Sequence, residues 1–126
     1  MIKKIIEIFE KKKIISWVCL IATWITMFYF SSIPGGSIGV GSIWPSIIYH
    51  FTIFAGFAFF LTAIIKQKKI GKKEIFLVLV ITLIFAILDE VHQIFVPIRS
   101  AGIQDVLTDL SGAIVAVFIY WLIKKN

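Results

Sequence analysis

Four long apolar segments restrict what this chain can fold into. They cover residues 14–31, 46–65, 75–96 and 103–123. A helix needs about 20 predominantly apolar residues to cross the hydrocarbon core of a bilayer, and each segment is close to that length. Hydrophobic residues make up 60% of the chain and charged residues 16%, which is far more apolar than a soluble domain of this size. The pattern predicts an all-α integral membrane protein, a bundle of four transmembrane helices.

Only short stretches of chain remain outside these segments. The 126 residues therefore leave no room for a separate soluble domain, a dinucleotide-binding unit or a phosphate-binding loop, and we predict one domain over residues 1–126. Residues 1–13 place isoleucines and Phe9 at helical spacing among charged residues, which predicts either a short amphipathic N-terminal helix on the inner membrane surface or a frayed basic tail. Pro34 and several glycines predict a short loop between the first two segments.

Positive charge is distributed unevenly between the connections. Lysines cluster before the first segment, between the second and third, and at the end of the chain. The connection after the first segment has no Lys or Arg, and the connection after the third has only Arg99. Cytoplasmic connections are rich in Lys and Arg, so we predict that both termini lie in the cytoplasm. The net charge of +6 is thus explained by lysines that lie on the cytoplasmic side and contact anionic lipid there, and no nucleic-acid partner is expected.

The third segment ends with polar residues, which are costly in a membrane helix. Asp89, Glu90, His92 and Gln93 lie within an arc of about 160° on a helical wheel, and the opposite side is apolar. A carboxylate at mid-membrane costs roughly 2.5–3.5 kcal/mol on insertion scales. The pattern predicts that the polar arc faces the other helices and that the apolar side faces lipid.

The fourth segment begins with a similar polar arc. Asp105 and Asp109 lie one turn apart on one side, and Gly112 on the same arc would let a neighbouring helix approach closely. A loop of about six residues joins this segment to the third, so the two polar arcs are expected to face each other.

These residues together predict one outward-facing pocket, to which all four segments contribute. Its predicted ligand-binding residues are His50, Asp89, Glu90, His92, Gln93, Arg99, Ser100, Asp105 and Asp109. Ser31 and Ser32 lie at the same end of the bundle. In the second segment the small residues lie opposite His50, so the pattern leaves open which side of that helix faces its neighbours.

Some of these residues also have a purely structural explanation. Asp89 and Glu90 could form buried ion pairs with Arg99 or His92. Asp105, at the start of its helix, could simply favour the positive end of the helix dipole.

No catalytic residue, cofactor or metal is assigned from the sequence. An enzyme could use Glu90 or Asp109 as a general base with His92 as its partner. A metal-dependent enzyme would use His50, His92 and carboxylates as ligands. Their spacing matches no known ligand pattern, so no metal is expected.

The order and spacing of these residues resemble the VanZ-like family of small membrane proteins. The resemblance lies in Asp89-Glu-x-x-Gln followed by Pro-x-Arg, in Asp105-x-x-x-Asp-x-x-Gly, in Phe30-Ser-Ser-Ile-Pro-Gly and in His50-Phe. It implies a multi-pass protein of the bacterial plasma membrane and a link to low-level teicoplanin resistance. It leaves the biochemical activity open.

The leading hypothesis is a cell-envelope protein without enzymatic activity. It would lower sensitivity to teicoplanin by binding this lipophilic glycopeptide, or a lipid-linked cell-wall intermediate, in the outer pocket. The alternatives are an enzyme acting on a lipid-linked substrate and an ion- or proton-coupled lipid transporter. Membrane lipids are expected partners, and a second copy of the chain is a further candidate.

Overall fold

Five helices make up most of the described chain. The computed structural model describes residues 1–35, 43–66 and 70–125. The helices are α1 (Ile2–Lys11), α2 (Lys13–Ser31), α3 (Trp44–Ile65), α4 (Lys72–Ile94) and α5 (Ile103–Lys125). Helices α2 to α5 are each long and apolar enough to cross a membrane, which confirms the predicted all-α class with four spans. Residues 36–42 of the predicted loop between the first two spans lie outside the described residues.

The third span ends two residues earlier than predicted. Helix α4 stops at Ile94, and the N–H groups of Phe95 and Val96 donate to carbonyls only three residues back, both at 3.1 Å. This tighter final turn precedes Pro97, whose ring disfavours a helical conformation in the residue before it. Ile98 then takes a left-handed conformation with φ 59°, which turns the chain toward α5.

The turn after α4 packs against the end of α2. Gly35 donates its N–H to the carbonyl of Pro97 at 3.1 Å, and a Cβ at Gly35 would lie 1.7 Å from the carbonyl oxygen of Ile98. Only glycine permits this approach. Arg99 reinforces the contact, because its Nη2 donates to the carbonyl of Phe30 at 2.7 Å and its Nε to that of Ile33 at 3.1 Å.

Helix α3 lies at the centre of the bundle and contacts the other four helices. His50 and Thr62, on different sides of this helix, are both buried. The sequence left open which side of α3 faces the bundle. Both sides do, because α3 lies between the other helices. The closest approach is to α5, where a Cβ at Gly112 would lie 2.2 Å from the carbonyl oxygen of Phe51.

The amphipathic helix α1 packs beneath the opposite end of the bundle. Ile6 is 1% exposed, and the ring of Phe9 contacts those of Phe59 and Phe60 edge to face at 5.7 and 5.2 Å. Part of its apolar face thus covers protein, while other isoleucines of α1 remain exposed.

The carboxylate of Glu10 fastens α1 to the ends of two spans. It accepts hydrogen bonds from Lys66, from the hydroxyl of Tyr120 at 2.7 Å and from Lys124 at 3.0 Å. Burial raises the pKa of Glu10, but these hydrogen bonds outweigh it and hold the pKa below its ordinary value. Both ends of the chain therefore lie on one side of the bundle; its assignment to the cytoplasm stays a prediction from charge.

Replacing Gly112 should loosen the contact between α3 and α5. Gly112→Ala places a methyl group against backbone, which cannot rotate away, and we expect a loss of about 1–3 kcal/mol in the free energy of unfolding. Gly56→Ala is the matched control, because a Cβ there meets nothing within 4 Å. Unfolding of the purified protein in detergent measures both, and equal stability of the two variants would contradict the close packing.

Glu10→Gln should detach α1 from the bundle ends and cost about 1–3 kcal/mol at neutral pH. A lowered pKa in the folded state means that the ionised carboxylate contributes stability above its ordinary pKa of 4.5, and that this contribution disappears as the pH falls below that value. The wild type should therefore lose stability more steeply than Glu10→Gln as the pH falls below about 4.5, and the difference between the two should stay nearly constant from neutral pH to about pH 5. Glu7→Gln, on the same helix, is the control, and identical pH profiles for wild type and Glu10→Gln would refute the role.

Candidate functional site

A buried hydrogen bond between α3 and α5 forms the centre of the site. Nδ1 of His50 lies 2.9 Å from Oδ1 of Asp109, and the two side chains are 2% and 0% exposed. Gly112, less than one turn after Asp109, lets α5 approach the backbone of α3 at Phe51, next to His50. The second carboxylate oxygen of Asp109, Oδ2, has no hydrogen-bond partner among the described residues.

Helix α4 adds a second carboxylate to this pair. Glu90 is buried and accepts a hydrogen bond from the N–H of Gly102 at 2.7 Å, while Gln93 donates to its other oxygen at 3.4 Å. One ligand atom each of His50, Glu90 and Asp109 lies within 4.8 Å of the others. The carboxylate of α4 therefore reaches the pair formed by α3 and α5.

Asp89 connects the same site to α2. Its Oδ1 accepts a hydrogen bond from Ser31 at 2.5 Å, and its Oδ2 accepts one from Gln93 at 2.9 Å. Gln93 therefore bridges Asp89 and Glu90. We call the five buried side chains His50, Asp89, Glu90, Gln93 and Asp109 the buried network; all four spans contribute to it when Ser31 is included.

The remaining predicted residues lie around the buried network. His92 is half-buried, with its Nε2 3.0 Å from the hydroxyl of Ser32 and its ring stacked on Phe28 at 4.5 Å. Ser100 is exposed, and Asp105 is half-buried in the first turn of α5. The proposed ion pairs of Asp89 and Glu90 with Arg99 or His92 are not among the ion pairs of the described residues. Arg99 binds backbone carbonyls instead.

Two contacts of the site involve residues outside the predicted ligand-binding set, Ser31 and Gly102. Ser31 was placed at the correct end of the bundle, but its hydrogen bond to Asp89 depends on how α2 and α4 are rotated. The N–H of Gly102 immediately precedes α5, and such groups at the start of a helix lack a partner within the helix. This position could have suggested that Gly102 would donate to a nearby carboxylate.

An apolar groove between α2 and α4 leads to the buried network. It consists of two cavities of about 340 and 260 Å³ that share Trp24 and Phe85, whose rings meet edge to face at 6.2 Å. The larger cavity is lined only by apolar side chains, from Trp17 onward along α2, with Phe57 and Leu61 of α3 as its floor. The smaller is lined by Trp24, Met27, Phe28, Phe85, Leu88, Asp89 and His92. We call this feature the α2–α4 groove.

Four membrane-length helices with acidic and histidine side chains buried at one end define a small multi-pass helical membrane protein. The family model for VanZ/LLP1 matches residues 15–124. The chain therefore belongs to the VanZ/LLP1 family, which confirms the resemblance stated for its sequence motifs. Helix α1 lies outside the matched residues. No curated protein and no solved structure gives a significant match.

Removing the hydroxyl that serves Asp89 should destabilise the protein. Ser31→Ala leaves a buried carboxylate oxygen without this donor, and we expect a loss of about 1–3 kcal/mol in the free energy of unfolding. Ser111→Ala is the matched control, because Ser111 is exposed and its hydroxyl donates to a carbonyl of its own helix. Its effect should stay within about 0.5 kcal/mol. Comparable melting temperatures for the two variants in detergent would contradict the role of Ser31.

Proposed function

We propose that this protein is a VanZ-like envelope protein of the bacterial plasma membrane that binds a lipid-tailed ligand at its outer end. The ligand would be a lipid-linked cell-wall intermediate or a lipophilic glycopeptide, and its binding would lower sensitivity to teicoplanin. The observation that carries this proposal is the α2–α4 groove, which joins an apolar cavity to the carboxylate of Asp89 and the imidazole of His92.

The groove is suited to the apolar tail of such a ligand. Its lining is apolar over most of its length, and its edges include exposed side chains such as Trp24, Phe28 and Leu88. In a membrane these side chains face lipid, so a hydrocarbon tail could enter sideways without crossing water. Binding sites for small molecules combine such apolar walls with a few placed polar groups.

The polar end of the groove is suited to a headgroup. Asp89 offers carboxylate oxygens to sugar hydroxyls or amines, and His92 offers a ring nitrogen that already contacts Ser32. Arg99 holds the neighbouring turn against α2 with two hydrogen bonds and brings a positive charge to the same end of the bundle. An arginine at this position could also receive a phosphate or carboxylate of the ligand.

An enzymatic role is the second candidate, favoured by the arrangement around Asp109. A carboxylate that accepts a hydrogen bond from a histidine, with a second carboxylate within 4.8 Å, is an arrangement that can transfer protons to and from a bound substrate. The substrate would again be a lipid-linked molecule, whose polar end would have to reach beyond Asp89, the one residue of the buried network that lines the α2–α4 groove.

The proposal predicts that wild-type protein protects a susceptible Gram-positive host against teicoplanin more than against vancomycin. At matched membrane abundance, Glu90→Gln and Asp109→Asn should lose this protection because they change the buried network. Leu88→Trp should lose it as well, because an indole would fill the smaller cavity of the groove. Growth inhibition by each antibiotic is measured side by side.

Ile87→Trp is the control for the groove, because Ile87 is an exposed neighbour of Leu88 that does not line the cavity. It should retain full protection. Protection that survives in Leu88→Trp, Glu90→Gln and Asp109→Asn alike would refute binding at this site. If wild type gives no protection, the proposed resistance role is wrong for this chain.

A further inference from the structure

We infer that His50, Glu90 and Asp109 form a binding site for one divalent transition-metal ion, with Zn²⁺ as the expected occupant. The three side chains come from three different spans and are all buried. The inference stands on the geometry of these residues alone and does not depend on the identity of any ligand in the groove.

The distances between the three side chains fit this role. Their ligand atoms lie within 4.8 Å of one another. Oxygen and nitrogen ligands at about 2.1 Å from a tetrahedral Zn²⁺ are about 3.4 Å apart, so side-chain shifts of roughly 1 Å complete the coordination.

An unsatisfied carboxylate oxygen is a second and independent sign of a missing partner. Both oxygens of Asp89 and both of Glu90 accept hydrogen bonds. Asp109 is 0% exposed, and its Oδ2 has no donor within the described part of the chain. Burying such a group without a partner is unfavourable, and more so when it is charged. A metal ion at this position would satisfy it.

The balance of charge points in the same direction. Asp89, Glu90 and Asp109 bring three carboxyl groups into a buried region with one imidazole, that of His50. The guanidinium of Arg99 is directed to backbone carbonyls. Buried ions are tolerated when they are paired or coordinate a metal, and a divalent cation would offset two of these carboxylates.

The types of ligand favour Zn²⁺ among divalent cations. Imidazole nitrogen suits transition metals, whereas Mg²⁺ and Ca²⁺ prefer oxygen ligands only. Three protein ligands leave a fourth position of a tetrahedral ion open, as in sites where Zn²⁺ binds substrate or water. The side-chain amide of Gln93 donates hydrogen bonds to both Glu90 and Asp89. Metal-binding side chains are commonly oriented by such hydrogen bonds from neighbouring residues that do not bind the metal.

This set differs from the metal ligands that the sequence brought together. His92 was considered with His50, but the structure directs His92 to Ser32 and Phe28. His92 is therefore the matched control for His50 in a test of metal binding, since it is the second histidine at the same end of the bundle.

The test uses the full chain purified without a polyhistidine tag, stripped with EDTA and dialysed against Zn²⁺. We expect about one Zn²⁺ per chain and a higher melting temperature with the metal. His50→Gln and Asp109→Asn should weaken binding by about tenfold or more, and His92→Gln should bind as the wild type does. Co²⁺ added to the wild type should show the strong visible absorption of a tetrahedral site.

Two results would overturn the inference. One is a folded wild-type protein that holds no Zn²⁺ once it has been dialysed against Zn²⁺ and shows no Co²⁺ absorption. This result would overturn the inference even if the variants fail to fold. The other is equal Zn²⁺ binding in wild type, His50→Gln and Asp109→Asn, which would place the metal elsewhere. Failure of antibiotic protection with intact Zn²⁺ binding would refute the proposed function and leave the metal site standing.

Discussion

The hydrogen bond between His50 and Asp109 is the interaction on which the outer half of this structure depends. It joins α3 to α5, the pair of helices that pack most closely, and both side chains are buried inside the bundle and shielded from water. Gly112 makes the approach possible, and the approach brings Glu90 of α4 to the same point. Removing either partner would leave the other as an unpaired buried polar group, so the pair has to be kept or lost together.

Ionisable side chains lie at both ends of the bundle, and the middle parts of α2 to α5 contain no Asp, Glu, His, Lys or Arg. At one end the carboxylate of Glu10 receives three donors and fastens α1, which lies outside the part of the chain that matches the VanZ/LLP1 family. At the other end both oxygens of Asp89 and of Glu90 accept hydrogen bonds, whereas Oδ2 of Asp109 has no partner among the described residues. The first end is therefore a completed structural contact, whereas the second keeps one buried carboxylate oxygen without a described partner, and the proposed metal site rests on this oxygen.

The sequence predicted the elements of this fold better than the contacts between them. Segment length and helical periodicity predicted the four spans and the polar sides of α4 and α5, because both are properties of single helices. The hydrogen bonds of Ser31 to Asp89 and of His50 to Asp109 depend on the rotation of each helix in the bundle, which periodicity does not fix. Glu10 was indistinguishable from a surface residue among lysines, since its donors come from distant parts of the chain.

A double-mutant cycle on His50 and Asp109 tests the account most directly. The free energy of unfolding in detergent with EDTA is measured for wild type, His50→Leu, Asp109→Leu and the double variant. The account predicts that each single variant is strongly destabilised and that the double variant is much less so than the sum, with a coupling energy of about 1.5–3 kcal/mol. Additive effects, within about 0.5 kcal/mol, would contradict the interaction at the centre of the site.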